Sequence, residues 1–598
     1  MKNLILISLG VVLLSATACS SDSTFNSEDN ITPDTNVDGD GNTDNSGDDL
    51  ESFDITFDYS IYNEPDETIP TNENDENYDD FIENSTFNTT IYISFSEDGV
   101  IISDLVEGII VNQNGAHISI TSTTKNIEYV LSGITSDGSF KIYSDYKFKL
   151  TLDAIQLTNP AGAAINIQSD KRVFVVCNEG TTNTLNDGTF YNTTEDEDMK
   201  ACFFSKGQLI FSGRGILNMN GNYKHALCSD DYVRFRVGSR INITANAKHG
   251  VKANEAIIID GGALNIATTA NASKGLSCDG KILINGGRTI IITSGEGVYE
   301  DNDVTGCAGI KCDGVFTMND GILALKSTGA GGKGLNTDEE IIINGGTIKV
   351  ITTGKQYIYN GLDTSPKGIK SDANITINGG HFLVRTSGGE GSEGIESKAN
   401  MTINSGTIEV LAYDDGLNAS SHIGITGGYI YCYSSGNDGM DSNGTLSISG
   451  GILIVSGAQT PEGGIDCDQN TFSITGGTVI GIGGSTSVPT PSQCTQPTII
   501  YGGSGISEVY LSLSDSEGNN IIIYQIPRTY SHMTLLISSP LLQQGSNYIL
   551  SSGGAVNGGD NFHHLITGGI YVNGSQLASL TISSMVTTYN FKEGMGGR

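Results

Sequence analysis

The chain has 598 residues and a formal net charge of −37; glycine occurs 78 times and tryptophan never. So acidic a balance excludes a nucleic-acid binder, which needs a basic surface, and the absence of a Gly-X-Y period excludes collagen. The glycines recur at fixed positions instead, which points to one array of repeats rather than several independent domains.

Residues 1–18 open with Met1-Lys2-Asn3, continue as an apolar run from Leu4 to Leu14, and end in small residues up to Ala18. That pattern is an export signal, too short to span a bilayer as a mature helix. The small residues before Cys19 look like a lipobox, with Ala16 where Leu is commoner. This implies cleavage before Cys19 and lipidation of its thiol; ordinary signal cleavage is the alternative. The expected location is therefore the bacterial outer membrane, at the cell surface, with the lipid anchor as the only membrane contact.

Residues 19–94 follow as a lipidated cysteine and an acidic tether. Positions 20–90 hold 21 Asp and Glu and no Lys or Arg. Such a composition buries too little apolar surface to offset chain entropy, so disorder is expected. Asp34 to Gly39 matches the opening of an EF-hand loop, but Asn45 stands where the bidentate Glu belongs, and a solvated linker is the better reading.

Residues 95–495 read as one solenoid. Between about 225 and 484 a unit recurs: Gly, apolar, polar, small, Asp or Asn, then alternating apolar residues, Gly-Gly, and more alternation. Lys274-Gly275-Leu276-Ser277-Cys278-Asp279 is one such opening. Successive glycines are mostly 22 to 26 residues apart; two intervals are 34, with the extra residues near 296–307 and 355–365. Such a length accommodates three short strands and three turns, and the period-2 alternation marks strands with one buried face. Stacking at about 4.8 Å would join Ile282, Phe316, Ile375 and Met401 into one interior stripe, and Leu323, Ile348, Phe382 and Ile408 into another. No coil can bury its face alone, which is the logic of a parallel β-helix. Asn285, Asn319, Asn344, Asn378 and Asn404 form a turn column with a structural role. Residues 496–598 lose the Gly-Gly repeat and read as a small β cap with a polar tail. Beyond Cys19 the cysteines read as small buried side chains, with Cys278 and Cys312 on successive coils.

Stacking also makes outward columns. The residue before each repeat glycine, and those two and four after it, place Lys274, Lys311, Lys333, Lys367 and Lys370 along the middle coils. Periodic ammonium groups can meet the carboxylates of a uronic-acid polymer; equally, they can pair with Asp279, Asp313, Asp338 and Asp372. The later coils display Asp414, Asp415, Asp438, Asp441, Asp466 and Asp468. Like charges one coil apart repel unless neutralised, and calcium accepts six to eight oxygens in a loose geometry that suits successive turns. A solvated acidic edge is the other reading. Tyr429, Tyr431 and Tyr433 alternate outward on one strand, as sugar-stacking rings or as ordinary sheet-face residues.

At Leu131-Ser132-Gly133-Ile134, Asn183-Thr184-Leu185-Asn186-Asp187-Gly188, Gly221-Asn222-Tyr223 and the Gly-apolar-x-small-Asp coils, the chain resembles a known family. It is similar to the bacterial carbohydrate-binding β-helix proteins of pectate-lyase-like fold, the clostridial binders of polygalacturonate and cellulose. The resemblance covers about 95–598. It implies a right-handed single-stranded parallel β-helix, binding of acidic polysaccharide and bound calcium. Two other functions stay open: a calcium-dependent polysaccharide lyase and a structural adhesin or spacer. A lyase needs a base beside its metal, and the carboxylate-rich coils 415–468 contain no lysine.

Overall fold

Three short strands per coil, each with one apolar face, stack in register onto their counterparts in the next coil. The computed structural model describes residues 53–192 and 197–591; the export signal, Cys19 and the Asp34–Gly39 segment lie outside them. Among the described residues the fold is all β, with three single-turn 3-10 segments. The first strands of the coils form a 15-stranded sheet, parallel from Ala116–Ser122 through Ile465–Asp466. The second and third strands belong to a 31-stranded sheet.

The register is the one the sequence pattern predicts. Ile282 pairs with Phe316, then Ile341, Ile375 and Met401. Leu323 pairs with Ile348, then Phe382, Ile408 and Ile430. All are buried in one continuous core. The asparagine column is a hydrogen-bonded chain: Asn319 donates to Asn285, Asn344 to Asn319, Asn378 to Asn344 and Asn404 to Asn378, each at 2.8 Å. Each amide satisfies its neighbour, so the turn needs no ligand there. Cys278 and Cys312 are in register, and the nine cysteines of the described residues are free and buried.

Residues 53–87 correct the expectation of a disordered tether. They lie as an extended strap across the solenoid, running counter to the coil order from Arg385 back to Arg172. Asp54 pairs with Lys326 and Asp58 with Arg288. Glu64 accepts the backbone N–H groups of Gly238 and Gly262. Glu67 and Glu83 bracket Arg236 at 2.7 and 2.9 Å, and Asp80 holds Arg172 and Arg234. Ile55 packs on Ile290, Ala324 and Ile351, and Phe81 lies under the guanidinium groups of Arg234 and Arg236. Composition missed this because the partners of the acids lie about 90 to 270 residues downstream.

The C-terminal part does more than close the last coil. Tyr530–Ser538 pairs antiparallel with Thr478–Gly483, extending the third-strand sheet. A six-stranded sheet then folds back so that Leu511, Tyr524 and Leu550 share a second core with Tyr431, Ile454 and Ile480.

Replacing Arg236 with Met keeps most of the packing but leaves Glu67 and Glu83 without their buried partner, a local cost of about 3 kcal/mol. The expected result is early proteolytic release of the 53–83 segment while the coils stay resistant. Wild-type resistance of the strap in this variant would show that ion pairs do not hold it.

Candidate functional site

The column before the repeat glycine is continuous through nine coils. In order it carries His225, His249, Lys274, Ala308, Lys333, Lys367, Glu393, Asp415 and Asp438, in a register fixed by the first-strand ladder. From His249 onward a glycine follows each of these residues and sets this orientation; His225 is followed by Ala226. A Cβ on Gly275 would lie 2.2 Å from Ile291 Cγ2, and one on Gly394 would lie 2.1 Å from Val410 Cγ1. The glycine backbone therefore sits against the third strand, and the preceding side chain is turned outward. A second column, two after the glycine, runs Lys311, Asn336, Lys370, Glu396, Asn418, Asp441 and Asp466.

The carboxylates converge at the late end of these columns. One oxygen from each of Asp438, Asp441 and Asp466 lies within 4.8 Å of the others. Asn418 donates to Asp415 at 2.8 Å and to Asp441 at 3.1 Å, bridging the columns. Asp415 also accepts the backbone N–H of Asp438 at 3.1 Å. Burial, then repulsion from the neighbouring carboxylates, pushes Asp415 up to about 9. Asp438 rises to about 8 and Asp441 to about 7, burial again the larger cause and the Asp466 carboxylate the main repulsive neighbour of both. Asp414 and Asp468 stand apart. Asp414 braces a turn, accepting from Gly391 and Asn437; Asp468 is exposed and left-handed (φ 48°), with its N–H directed to Asp466. Partly buried oxygen donors that repel each other suit a hard cation, and Asp438, Asp441 and Asp466 are the residues that would hold it.

The five lysines separate into two classes. Lys311 pairs with Asp313 and Asp338, Lys370 with Asp372, and Lys367 with Glu393 and Glu396. Lys311 and Lys370 follow the expected Asp ladder, whereas Lys367 pairs with glutamates instead and Asp279 takes Lys252. Lys274 and Lys333 have no ion pair among the described residues. Lys274 donates to the carbonyls of Ala272 and Gly306, each at 2.7 Å, and Lys333 to Thr364 Oγ1 at 2.6 Å. Burial pulls Lys274 down to about 8, and burial with the Lys370 and Lys367 charges pulls Lys333 down to about 7. At the early end the His225 and His249 rings lie 4.9 Å apart, tilted by 34°; burial depresses both, His225 to about 3.

The tyrosine strand is not an open platform. Tyr431 is 0% exposed beneath His563, ring centroids 4.0 Å apart, and Tyr433 lies under the Arg528 guanidinium. Tyr429 alone keeps an open edge, at 52% exposure. The rings do face away from the solenoid core, but the C-terminal sheet covers that face. Glu393, Glu396 and Asn418 join the site although composition did not single them out; their signal was register alone.

A family model described as carbohydrate-binding domain-containing protein matches residues 114–309, 267–390 and 385–439, together more than half of the chain. The chain belongs to this carbohydrate-binding domain family. A protein of the same description from Acetivibrio thermocellus is 30% identical over 167 residues, 27% of this chain and 55% of the relative. The match thus spans about half the length of that curated relative. Among solved structures, the chain is similar to a polysaccharide lyase-like protein from C. thermocellum, determined as a gadolinium derivative. Identity is 24%, coverage 46% of this chain and 98% of that one, and the TM-score 0.32; a superposition this loose carries no argument about the site. The matched family residues include the lysine coils and Asp414 and Asp415, and stop at 439, within the carboxylate cluster.

Raised carboxyl values reverse the usual acid dependence of stability. An unfolded Asp titrates near 3.9, whereas folded Asp415, Asp438 and Asp441 hold their protons to about 9, 8 and 7. The folded state thus binds more protons across that window, and stability falls as pH rises from about 4 towards 9. In chelator, the melting temperature should decline over this range in the wild type and decline less in Asp415→Asn/Asp438→Asn. Equal slopes in both proteins would remove these carboxyls as the cause.

Proposed function

We propose that this protein is a lipid-anchored surface protein that binds acidic polysaccharide of polygalacturonate type without cleaving it. Cys19 carries the anchor at the outer membrane, and calcium at Asp438, Asp441 and Asp466 bridges the protein to uronate carboxylates. The observation that carries this reading is the convergence of three carboxylate oxygens on successive coils, in a chain belonging to a carbohydrate-binding family. Carboxylates that repel each other bind a divalent cation with gain on both sides: the cation relieves the repulsion and keeps coordination positions for ligand oxygens.

Elimination chemistry has less support. It needs a base and a metal over the same sugar residue. Lys367 is three rungs from Asp438 in the same column, about 14 Å at the spacing of stacked strands, and it is already paired with Glu393 and Glu396. Lys333 is one rung farther away.

The test is native affinity electrophoresis in gels containing polygalacturonate. Retardation with calcium, its loss in chelator, and its loss in Asp438→Asn/Asp441→Asn are expected. Unchanged migration across acidic and neutral glycans, with and without calcium, would end the binding reading. Unsaturated uronides in the same incubation would establish cleavage instead.

A further inference from the structure

The two 34-residue intervals are where the coil pattern is interrupted, and both interruptions become β-hairpins on the first-strand face. One pairs Val298–Glu300 with Asp303–Thr305, the other Tyr357–Tyr359 with Leu362–Thr364. They come from different coils, yet they pack together. At the root, the Tyr357 ring lies against Gly297, where a Cβ would meet its Cγ at 2.7 Å. At the tip, Tyr299 and Tyr359 stack with centroids 4.7 Å apart and remain 40% and 42% exposed.

The same hairpins cover the two lysines that have no carboxylate. Lys274 reaches Thr305 Oγ1 and Lys333 reaches Thr364 Oγ1, the equivalent last residue of each hairpin. The charged groups facing Lys274 are Glu300, Lys311 and Lys248, with the Cys307 thiol beside them; those facing Lys333 are Lys370, Lys367, Lys274 and Glu396. Among the described residues Lys333 uses one of its three possible donor positions. On the same coil the buried Asn336 Oδ1 accepts no hydrogen bond. A half-buried cluster of amines short of anions, beneath hairpins that carry two partly exposed tyrosine rings, is chemistry that recognises a ring bearing a carboxylate.

We propose that the paired hairpins and the lysines beneath them form a uronate subsite, in which a pyranose ring lies against the Tyr299–Tyr359 pair and its carboxylate takes the ammonium group of Lys333, with Lys274, two rungs away in the same column, adding positive charge. This rests on the acidic-polysaccharide reading above but places a metal-independent contact several coils from the carboxylate cluster. The two contacts have opposite pH signs. An amine that titrates near 7 must take up a proton to hold a carboxylate, so lysine-mediated binding weakens as pH rises through 7 to 8. Cation binding at the aspartates strengthens over the same range as they lose protons.

The experiment is isothermal calorimetry of the full chain with trigalacturonate, in chelator, at pH 6.5 and 8.5, in buffers of different ionisation enthalpy. The expected result is tighter binding at pH 6.5 and net proton uptake at pH 8.5. Lys333→Met should weaken binding about tenfold or more, a loss of about 1.4 kcal/mol or more, and reduce both the pH dependence and the proton uptake, which Lys274→Met/Lys333→Met should abolish. Tyr299→Ala/Tyr359→Ala, on exposed hairpins that can change without disturbing the core, should weaken binding while keeping the proton uptake. Wild-type affinity and proton uptake in these variants, with calcium-dependent retention on polygalacturonate intact, would overturn this subsite alone. No uronate binding by the wild type under any condition would overturn the acidic-polysaccharide reading with it.

Discussion

The contact on which the molecule depends is that of the repeat glycine with the third strand. Gly250 meets Ile266, Gly275 meets Ile291, Gly334 meets Val350, Gly368 meets Val384 and Gly439 meets Val455, with a Cβ at each position falling 2.2 to 2.6 Å from the facing side chain. At these five positions a larger residue would press the first strand off the core, whereas one coil earlier the in-register Ala226 has room for its methyl group. Because the backbone is pinned there, the residue before the glycine always faces outward, and coil stacking repeats that position at the ladder spacing. One steric requirement thus builds the core and creates the outward column.

That column is under electrostatic stress by construction. Stacking places like charges one rung apart, and burial raises the cost of each. The chain relieves it in three ways. Lys311, Lys367 and Lys370 find carboxylates on their own or adjacent coils. His225 and His249 give up their protons to burial. Lys274 and Lys333 at one place, and Asp415, Asp438 and Asp441 at another, are left with values moved towards neutrality. Those two remaining groups are where a ligand or cation would gain most, since neutralisation from outside would replace a protonation change that the protein otherwise makes alone.

What could be read from the amino-acid order follows the same division. The glycine period, the interior stripes and the asparagine ladder were legible because they are periodic, and register then placed Asp438, Asp441 and Asp466 together. Three features were not legible. The strap depends on pairings such as Asp80 with Arg234 and Asp58 with Arg288, which no local pattern encodes. The covering of Tyr431 by His563 depends on where the C-terminal sheet folds back. The hairpins were visible as extra length at 296–307 and 355–365, but nothing in the spacing shows that Tyr299 and Tyr359 meet.

These aperiodic parts decide which face of the solenoid can work. Ile55 and Phe57 of the strap cover third-strand residues Ile290, Ala324 and Ile351. The C-terminal sheet covers the corresponding residues Tyr431, Ile454 and Ile480 in later coils. Between them they take up much of the outer third-strand face, including arginines that a polyanion could otherwise reach. The first-strand face keeps its charged columns, and its main additions are the two hairpins. A repeat offers every coil the same surface; by covering one face and building on another, the strap, the C-terminal sheet and the hairpins leave the column that the glycines turn outward as the face with uncovered charge.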